Sequence, residues 1–196
     1  FFFFCSLLFL LFFPTLPSSF LAFFFRGAWS RGGHGQVRVL YGTPGASEGP
    51  PGAPNLIMSD NRGLADFLKS EFVGKLAAFR DAAPFAALPH RHAETVRSSG
   101  DPMGHRYTET IAGEGLVVEL VWEDLEPPRA LELTPDQVGT QEHTMFTLLV
   151  PAKRAQIIVN GHALPGALGT RVQAGFETTT AFLYFSETWV IPPEVE

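Results

Sequence analysis

The clearest pattern in the chain is a strict alternation of side chains over residues 116–123. Leu116, Val118, Leu120 and Trp122 fall on one face of an extended strand, and Val117, Glu119, Val121 and Glu123 fall on the other. Period-two alternation indicates an antiparallel strand with one buried face. A tight turn at residues 113–115 precedes it and a double proline at residues 127–128 ends it. The sequence therefore predicts a hairpin here.

A second pattern, with helical spacing, lies upstream over residues 64–79. Its apolar stripe consists of Leu64, Phe67, Leu68, Phe72, Leu76 and Phe79. Residues three and four apart share one face of a helix, so this stripe predicts an amphipathic helix that packs on the core. Asp60 or Asn61 is a suitable N-cap, and Pro84 is expected to end the helix.

Strand patterns and turn residues fill the remainder of the chain. Candidate strands lie at residues 94–98, 105–112, 116–123, 144–150, 156–159, 170–174 and 179–191, and residues 127–139 are predicted to form an acidic loop. Short connections favour antiparallel neighbours. The sequence thus predicts an α+β domain over residues 58–196, with one N-terminal amphipathic helix packed on an antiparallel sheet.

The first 25 residues have a different composition, with 11 of the 19 phenylalanines and no charge. The stretch is long enough to span a bilayer, and it also resembles the apolar region of a signal peptide. A third interpretation is a translated pyrimidine-rich leader, because Phe, Ser, Leu and Pro all have codons made of pyrimidines alone. We favour this third interpretation. It predicts that residues 1–25 pack against nothing in the body and are absent from the mature protein.

Residues 26–57 form a separate segment in the sequence. Arg26, Arg31 and Arg38 are spaced along a stretch without acidic residues, which is typical of a mitochondrial transit peptide. A flexible linker is the alternative, and the Gly/Pro-rich residues 42–54 favour a linker there.

The body over residues 58–196 is acidic, with 11 basic and 19 acidic side chains. A balance of −8 disfavours nucleic acid and favours basic protein partners. The candidate partner-binding face consists of Glu119, Glu123, Asp124 and Glu126. Cys5 is the only cysteine, so no disulfide stabilises the body, as is typical of an intracellular or organellar-matrix protein.

Three stretches resemble the mitochondrial glycoprotein family. They are LADFLKSEFVGKL at residues 64–76, IAGEGLVVELVWEDLEPP at 111–128 and MFTLLVPAKRAQIIVNGHA at 145–163. The resemblance implies a helix, a strongly twisted antiparallel sheet of about seven strands, and a homotrimer that closes into an acidic ring. The C-terminal helices of the family have no counterpart in the pattern after residue 175.

The resemblance implies a non-enzymatic adaptor or chaperone-like protein of the mitochondrial matrix. Its expected partners are basic proteins such as mitoribosomal or respiratory-complex subunits, with no cofactor and no catalytic residue. One alternative is a small non-haem iron oxygenase, in which His92, Glu94 and His143 form a two-histidine, one-carboxylate site. Another is a membrane-anchored accessory subunit of an organellar complex, which requires that residues 1–25 are retained.

Overall fold

A computed structural model describes residues 4–12, 19–27, 30–42, 53–76, 79–80, 83–173 and 175–190. The fold is mostly β, with a curled antiparallel sheet and few helices. The strands are β1 (Phe4–Phe12), β2 (Ser19–Gly27), β3 (Gly35–Gly42), β4 (Leu56–Ser59), β5 (His90–His92), β6 (Thr95–Gly100), β7 (Arg106–Gly113), β8 (Leu116–Leu125), β9 (Arg129–Leu133), β10 (His143–Val159), β11 (His162–Ala163), β12 (Ala167–Leu168), β13 (Thr170–Gln173), β14 (Phe176–Thr179) and β15 (Phe182–Val190). Within the described part of the chain, no helix has the length and apolar character needed to cross a membrane.

The first sheet has the strand order β12-β1-β2-β3-β4-β5, antiparallel except for the parallel pair β4 and β5. Its central strand β2 is apolar at every position from 20 to 25. Phe20, Ala22 and Phe24 join one buried cluster, and Leu21, Phe23 and Phe25 join another. A strand buried on both faces has no need of alternation, so a continuous apolar run suits this position.

This placement corrects the expectation that residues 1–25 pack against nothing. β2 pairs with β3 from Phe20, opposite Gly42, to Gly27, opposite Gly35, and Phe20, Ala22 and Phe24 pack in one core cluster with β8. β3 itself lies in the segment interpreted as a transit peptide or linker, and the flexible alternative does not apply to a buried strand. The expectation that residues 1–25 are absent from the mature protein stays a prediction.

The second sheet is seven-stranded, with the order β11-β10-β8-β7-β6, and β9 and β15 also pair with β10. β8 and β9 follow each other along the same partner: β8 pairs with residues 152–159 of β10 and β9 pairs with residues 145–149. Pro127 and Pro128 separate them, because proline has no N–H to donate to the ladder. The stretch predicted as an acidic loop at residues 127–139 therefore holds a strand, β9, and a one-turn helix, α3 (Pro135–Val138).

The hairpin predicted from the alternation is confirmed. β8 is antiparallel to both β7 and β10, and Leu116, Val118, Leu120 and Trp122 are all buried in the core between the sheets. The turn before β8 has positive φ at Glu114 (50°) and Gly115 (74°). Two consecutive positive φ values define the type I′ turn that matches the twist of a two-residue hairpin. Asn160 and Gly161 form a second such turn between β10 and β11.

The helical segment runs from Arg62 to Lys75, so the prediction of a single N-terminal helix over residues 64–79 is wrong. It follows four strands, and it consists of α1 (Arg62–Phe67), a π turn (Leu68–Phe72) and a 3-10 turn (Val73–Lys75). Asn61 caps it by accepting a hydrogen bond from the Leu64 N–H at 3.1 Å. A further short helix, α2, spans Ala83–Ala86.

The apolar stripe of this segment is nevertheless buried where its spacing predicted. Leu64, Leu68 and Phe72 pack with residues of β2 and β3 in a second core, on the face of the first sheet that lies away from β8. The backbone becomes extended at Leu76, eight residues before Pro84, so the helical segment has already ended there. The proline therefore does not set the end of the helix.

Candidate functional site

A buried ion pair lies in the core between the two sheets. Arg38 of β3 and Glu109 of β7 approach to 2.8 Å, and both side chains are fully buried. Alternation explains the inward direction of Glu109, because Tyr107 and Ile111 on either side of it also face the core. In the sequence, Arg38 lies in a segment typical of a transit peptide, and no local pattern indicates its pairing with Glu109.

Glu109 is the centre of a cluster that reaches the protein surface. Its Oε1 accepts hydrogen bonds from Ser98 Oγ at 2.9 Å, from Arg26 at 3.2 Å and from the hydroxyl of Tyr107. Arg26 also donates to Ser98, and its side chain is 45% exposed. Both carboxylate oxygens are therefore already occupied, which leaves no position for a substrate proton. The cluster satisfies buried charge and does not have the open geometry of a general base.

Burial has the largest effect on the pKa of Arg38. It lowers the pKa of the guanidinium to about 9, against the opposing effect of the Glu109 charge. The guanidinium lies 3.5 Å from the centroid of the Phe24 ring, a close cation–π contact. The Arg38 guanidinium thus contacts one carboxylate and one aromatic face.

The four carboxylates of the predicted acidic face are mostly paired with basic side chains. Ion pairs join Glu123 to Arg106 at 3.4 Å and to Arg154 at 3.5 Å, Asp124 to Arg154 at 2.7 Å, and Glu126 to Lys153 at 3.7 Å. The hydrogen bond from Arg154 lowers the pKa of Asp124. Glu119 has no ion pair among the described residues. A basic partner would therefore compete with the protein's own cations at this face.

His92, Glu94 and His143 do not come together. His92 and Glu94 are exposed next to the β7–β8 turn, where the His92 N–H donates to Glu114 at 3.2 Å. His143 is buried, with Nδ1 3.0 Å from Thr140 Oγ1 and its ring 5.3 Å from that of Phe72. Among the described residues, no three His, Cys, Asp or Glu side chains are arranged to hold a metal ion.

A different acidic surface lies on the second sheet, which we call the Phe146 strip (Glu132, Phe146 and Glu187). Phe146 of β10 is opposite Glu132 of β9 and Glu187 of β15, so all three side chains project from one face. Phe146 is 44% exposed, and both glutamates are exposed. The strip was not predicted from the sequence, because Glu132 lies in the stretch expected to form an acidic loop. Only the short alternation Leu131-Glu132-Leu133 indicates this strand in the sequence.

Burial of His143 predicts an acid-sensitive fold. Burial, followed by the charge of Lys75, lowers the pKa of His143, and burial also lowers the pKa of His90. A histidine with a lower pKa in the folded state binds more protons when unfolded, so its contribution to stability is present above about pH 6.5 and is lost as the pH falls below it.

We expect the melting temperature to fall between about pH 7.5 and about pH 5.5, and to fall less in His143→Asn, which cannot take up the proton. Thermal unfolding followed by circular dichroism at the two pH values measures this difference. An equal fall in both proteins would show that His143 does not contribute.

Comparisons with family models, with curated proteins and with solved structures give no match to this chain.

Proposed function

We propose that this chain is a non-enzymatic binding protein whose Phe146 strip takes basic segments of partner proteins. The observation that supports this proposal is the register that places the exposed Phe146 between Glu132 and Glu187. An exposed aromatic ring flanked by two carboxylates suits a lysine or arginine side chain laid across the ring. The net charge of −6 adds long-range attraction for such partners.

The geometry of a sheet sets the dimensions of this strip. Neighbouring strands lie about 4.8 Å apart, so each carboxylate is close enough to meet a cation held over the Phe146 ring. A cation–π contact at an exposed site contributes about 0.5–1 kcal/mol, and each exposed ion pair about 0.2–1 kcal/mol. One cation therefore gains little, and a basic segment with several cations is required for measurable affinity.

The strip is a better site than the face chosen from the sequence. A partner that binds at Glu123 or Asp124 must displace Arg154 from its ion pairs. Glu132 and Glu187 have no ion pair among the residues that the structure describes. Their charges are thus available to a partner without any rearrangement.

The resemblance to the mitochondrial glycoprotein family supports the location and the class of partner. On this resemblance we propose the mitochondrial matrix as the location, basic mitoribosomal or respiratory-complex proteins as the partners and a homotrimer as the assembly. The helical segment packed on a sheet and the seven-stranded second sheet are compatible with the helix-on-sheet architecture that the resemblance implies.

Two double charge reversals test the proposal. Glu132→Lys with Glu187→Lys removes the strip, and Glu119→Lys with Glu123→Lys alters the other acidic face. Both variants have a net charge of −2 in place of −6, so they differ only in where the charge is changed. We expect the strip variant to bind an octa-arginine peptide roughly ten-fold more weakly than the other variant does.

Salt dependence provides the accompanying control. Binding to the unaltered protein should weaken between about 0.05 M and about 0.3 M salt, because surface charges are screened. Fluorescence anisotropy of the labelled peptide measures both effects. Equal loss of affinity in the two double variants would show that net charge alone binds the peptide, and the strip would then not be the site.

A further inference from the structure

Strand β6 forms an open edge of the second sheet. It pairs with β7 on one side, from Thr95 opposite Ala112 to Gly100 opposite Tyr107. Among the residues that the structure describes, no strand pairs with its other side. Every residue of β6 is exposed except Val96, which is half-buried. An uncovered edge strand offers its unpaired backbone groups to another extended chain.

The hydrogen bonds around β6 show which of its backbone groups are unpaired. The Asp101 N–H donates to the Arg106 carbonyl at 3.1 Å, so the odd-numbered residues of β6 direct their N–H and C=O groups toward β7. The backbone groups of Val96 and Ser98 therefore point to the open edge. No backbone hydrogen bond joins either residue to a part of the described chain outside this strand pair.

Arg97 lies between these two residues and brings a positive charge to the edge. Its side chain is exposed, and it has no ion pair or hydrogen bond within the part of the chain that the structure describes. Thr110 of β7 lies beside it, and Glu119 of β8 lies one strand further, about 9.6 Å from β6. The charge of Arg97 is thus available to a side chain on an added strand.

A second cation lies on the other face of the edge. The Arg26 guanidinium donates to Ser98 Oγ and to Glu109 at 3.2 Å, and 45% of its side chain is exposed. Arg26 and Arg38 both pair with the single carboxylate of Glu109, so this cluster has one positive charge in excess. Both faces of the edge are therefore positive, although the whole chain has a net charge of −6.

We propose that the open edge of β6 binds an extended acidic segment of a partner protein as an added antiparallel strand, with a carboxylate beside Arg97. Backbone hydrogen bonds to Val96 and Ser98 hold the segment, and the side-chain contacts select it. A cation in the middle of an edge strand disfavours pairing with neutral apolar strands, and a carboxylate on the added strand offsets that effect. The edge is separate from the Phe146 strip and selects the opposite charge.

A fluorescein-labelled peptide, Thr-Val-Thr-Glu-Val-Thr-Thr, tests the proposal by fluorescence anisotropy. At about 0.15 M salt, repulsion by the net charge of the protein is screened beyond about 8 Å. We expect saturable binding to the full chain, and binding about 3- to 10-fold weaker when the glutamate is replaced by lysine.

Methylated versions of the same peptide test the strand pairing. The N–H groups of the two neighbours of the glutamate should face β6, so methylating either nitrogen should weaken binding at least about 10-fold. The N–H of the glutamate itself should face away from β6, and its methylation should have little effect.

Matched variants of the protein separate the backbone contact from the charge. Ser98→Pro removes a backbone N–H from the open edge, whereas Ser98→Ala removes the same hydroxyl and keeps that N–H, so only the proline variant should lose binding. Arg97→Glu should reverse the preference and favour the lysine peptide. Arg62→Glu makes the same charge change on α1 and should leave the preference unaltered. Circular dichroism checks the folding of each variant, and the methylated peptides decide the backbone contact if Ser98→Pro does not fold.

The proposal is overturned if no saturable binding occurs, if the glutamate and lysine peptides bind equally, if methylation acts equally at all three nitrogens, or if Arg97→Glu and Arg62→Glu behave alike. Analytical ultracentrifugation of the protein without peptide tests the identity of the occupant. If the chain forms dimers that Ser98→Ala retains and Ser98→Pro abolishes, a second copy occupies the edge, and the proposal of an acidic partner segment is overturned.

Discussion

Replacing Glu109 with alanine is expected to lower the free energy of unfolding by about 3–5 kcal/mol. The substitution leaves the fully buried guanidinium of Arg38 without its carboxylate. It also removes the acceptor for the hydroxyl of Tyr107 and the Oγ of Ser98. An uncompensated charge in the core costs far more than the lost contacts of one side chain. Urea unfolding followed by tryptophan fluorescence measures the loss.

A double substitution separates the ion pair from the packing around it. Arg38→Met with Glu109→Leu removes both charges and keeps similar volumes, so it should destabilise the protein much less than Glu109→Ala does. Arg38→Met alone should be severely destabilising, because it leaves the buried carboxylate with only Arg26 as a cation. Glu109→Leu alone completes the cycle: if the effects of Arg38→Met and Glu109→Leu on the free energy of unfolding simply add in the double variant, the pair is not coupled and the core does not depend on it.

Replacing Phe24 with alanine should cost about 3–5 kcal/mol of stability. Phe24 is 2% exposed, packs in the core between the sheets, and supports the Arg38 guanidinium at 3.5 Å. The cavity left by the ring and the loss of its cation–π contact with Arg38 both lower the stability. This residue lies in the stretch that its composition alone marks as a leader, so its effect on stability tests directly whether β2 belongs to the fold.

The matched control for this substitution is Phe146→Ala. Phe146 is 44% exposed, and truncation there should change stability by no more than about 0.5 kcal/mol. Both variants lose a phenylalanine side chain, so the difference in their stabilities measures the effect of burial. If the two variants have the same melting temperature, β2 does not pack in the core. Residues 1–25 would then again be interpreted as a leader outside the domain.

The parts of the fold that follow from the sequence are those with local signals. Alternation in β8 fixes which side chains are buried, and Asn160-Gly161 fixes a two-residue turn by its positive φ values. The stripe at Leu64 and Leu68 likewise predicts which face packs, because helical spacing depends on neighbours in sequence. In each case the information lies within a few residues.

The parts that do not follow depend on partners far away in sequence. A continuous apolar run such as residues 20–25 has no period, so its role as a central strand depends on the second core that the helical segment provides. The π turn ends the regular helix early, although the apolar stripe continues beyond it. The double proline before β9 is typical of a loop, so the sequence does not predict a strand there. β9 forms because it pairs with β10, which follows it in the chain.

The same limit applies to the candidate sites. The Phe146 strip needs the register of three strands, and Phe146 and Glu187 lie 41 residues apart in the sequence, so no local pattern encodes that register. The acidic face at Glu123 was visible in the sequence, whereas its neutralisation by Arg106 and Arg154 required the pairing of β7, β8 and β10. The sequence shows which residues are charged, but it does not show which of those charges are already paired within the protein.

The most direct test of the proposed binding function locates the contact residue by residue. Amide chemical shifts of the ¹⁵N-labelled protein should be followed as octa-arginine peptide is added at low salt. We predict that the largest changes fall in β9, in β15 and in residues 144–148 of β10, and that they vanish in the Glu132→Lys, Glu187→Lys variant. Changes centred on residues 119–126 instead, or spread evenly over the acidic surface, would contradict the assignment of the Phe146 strip as the binding site.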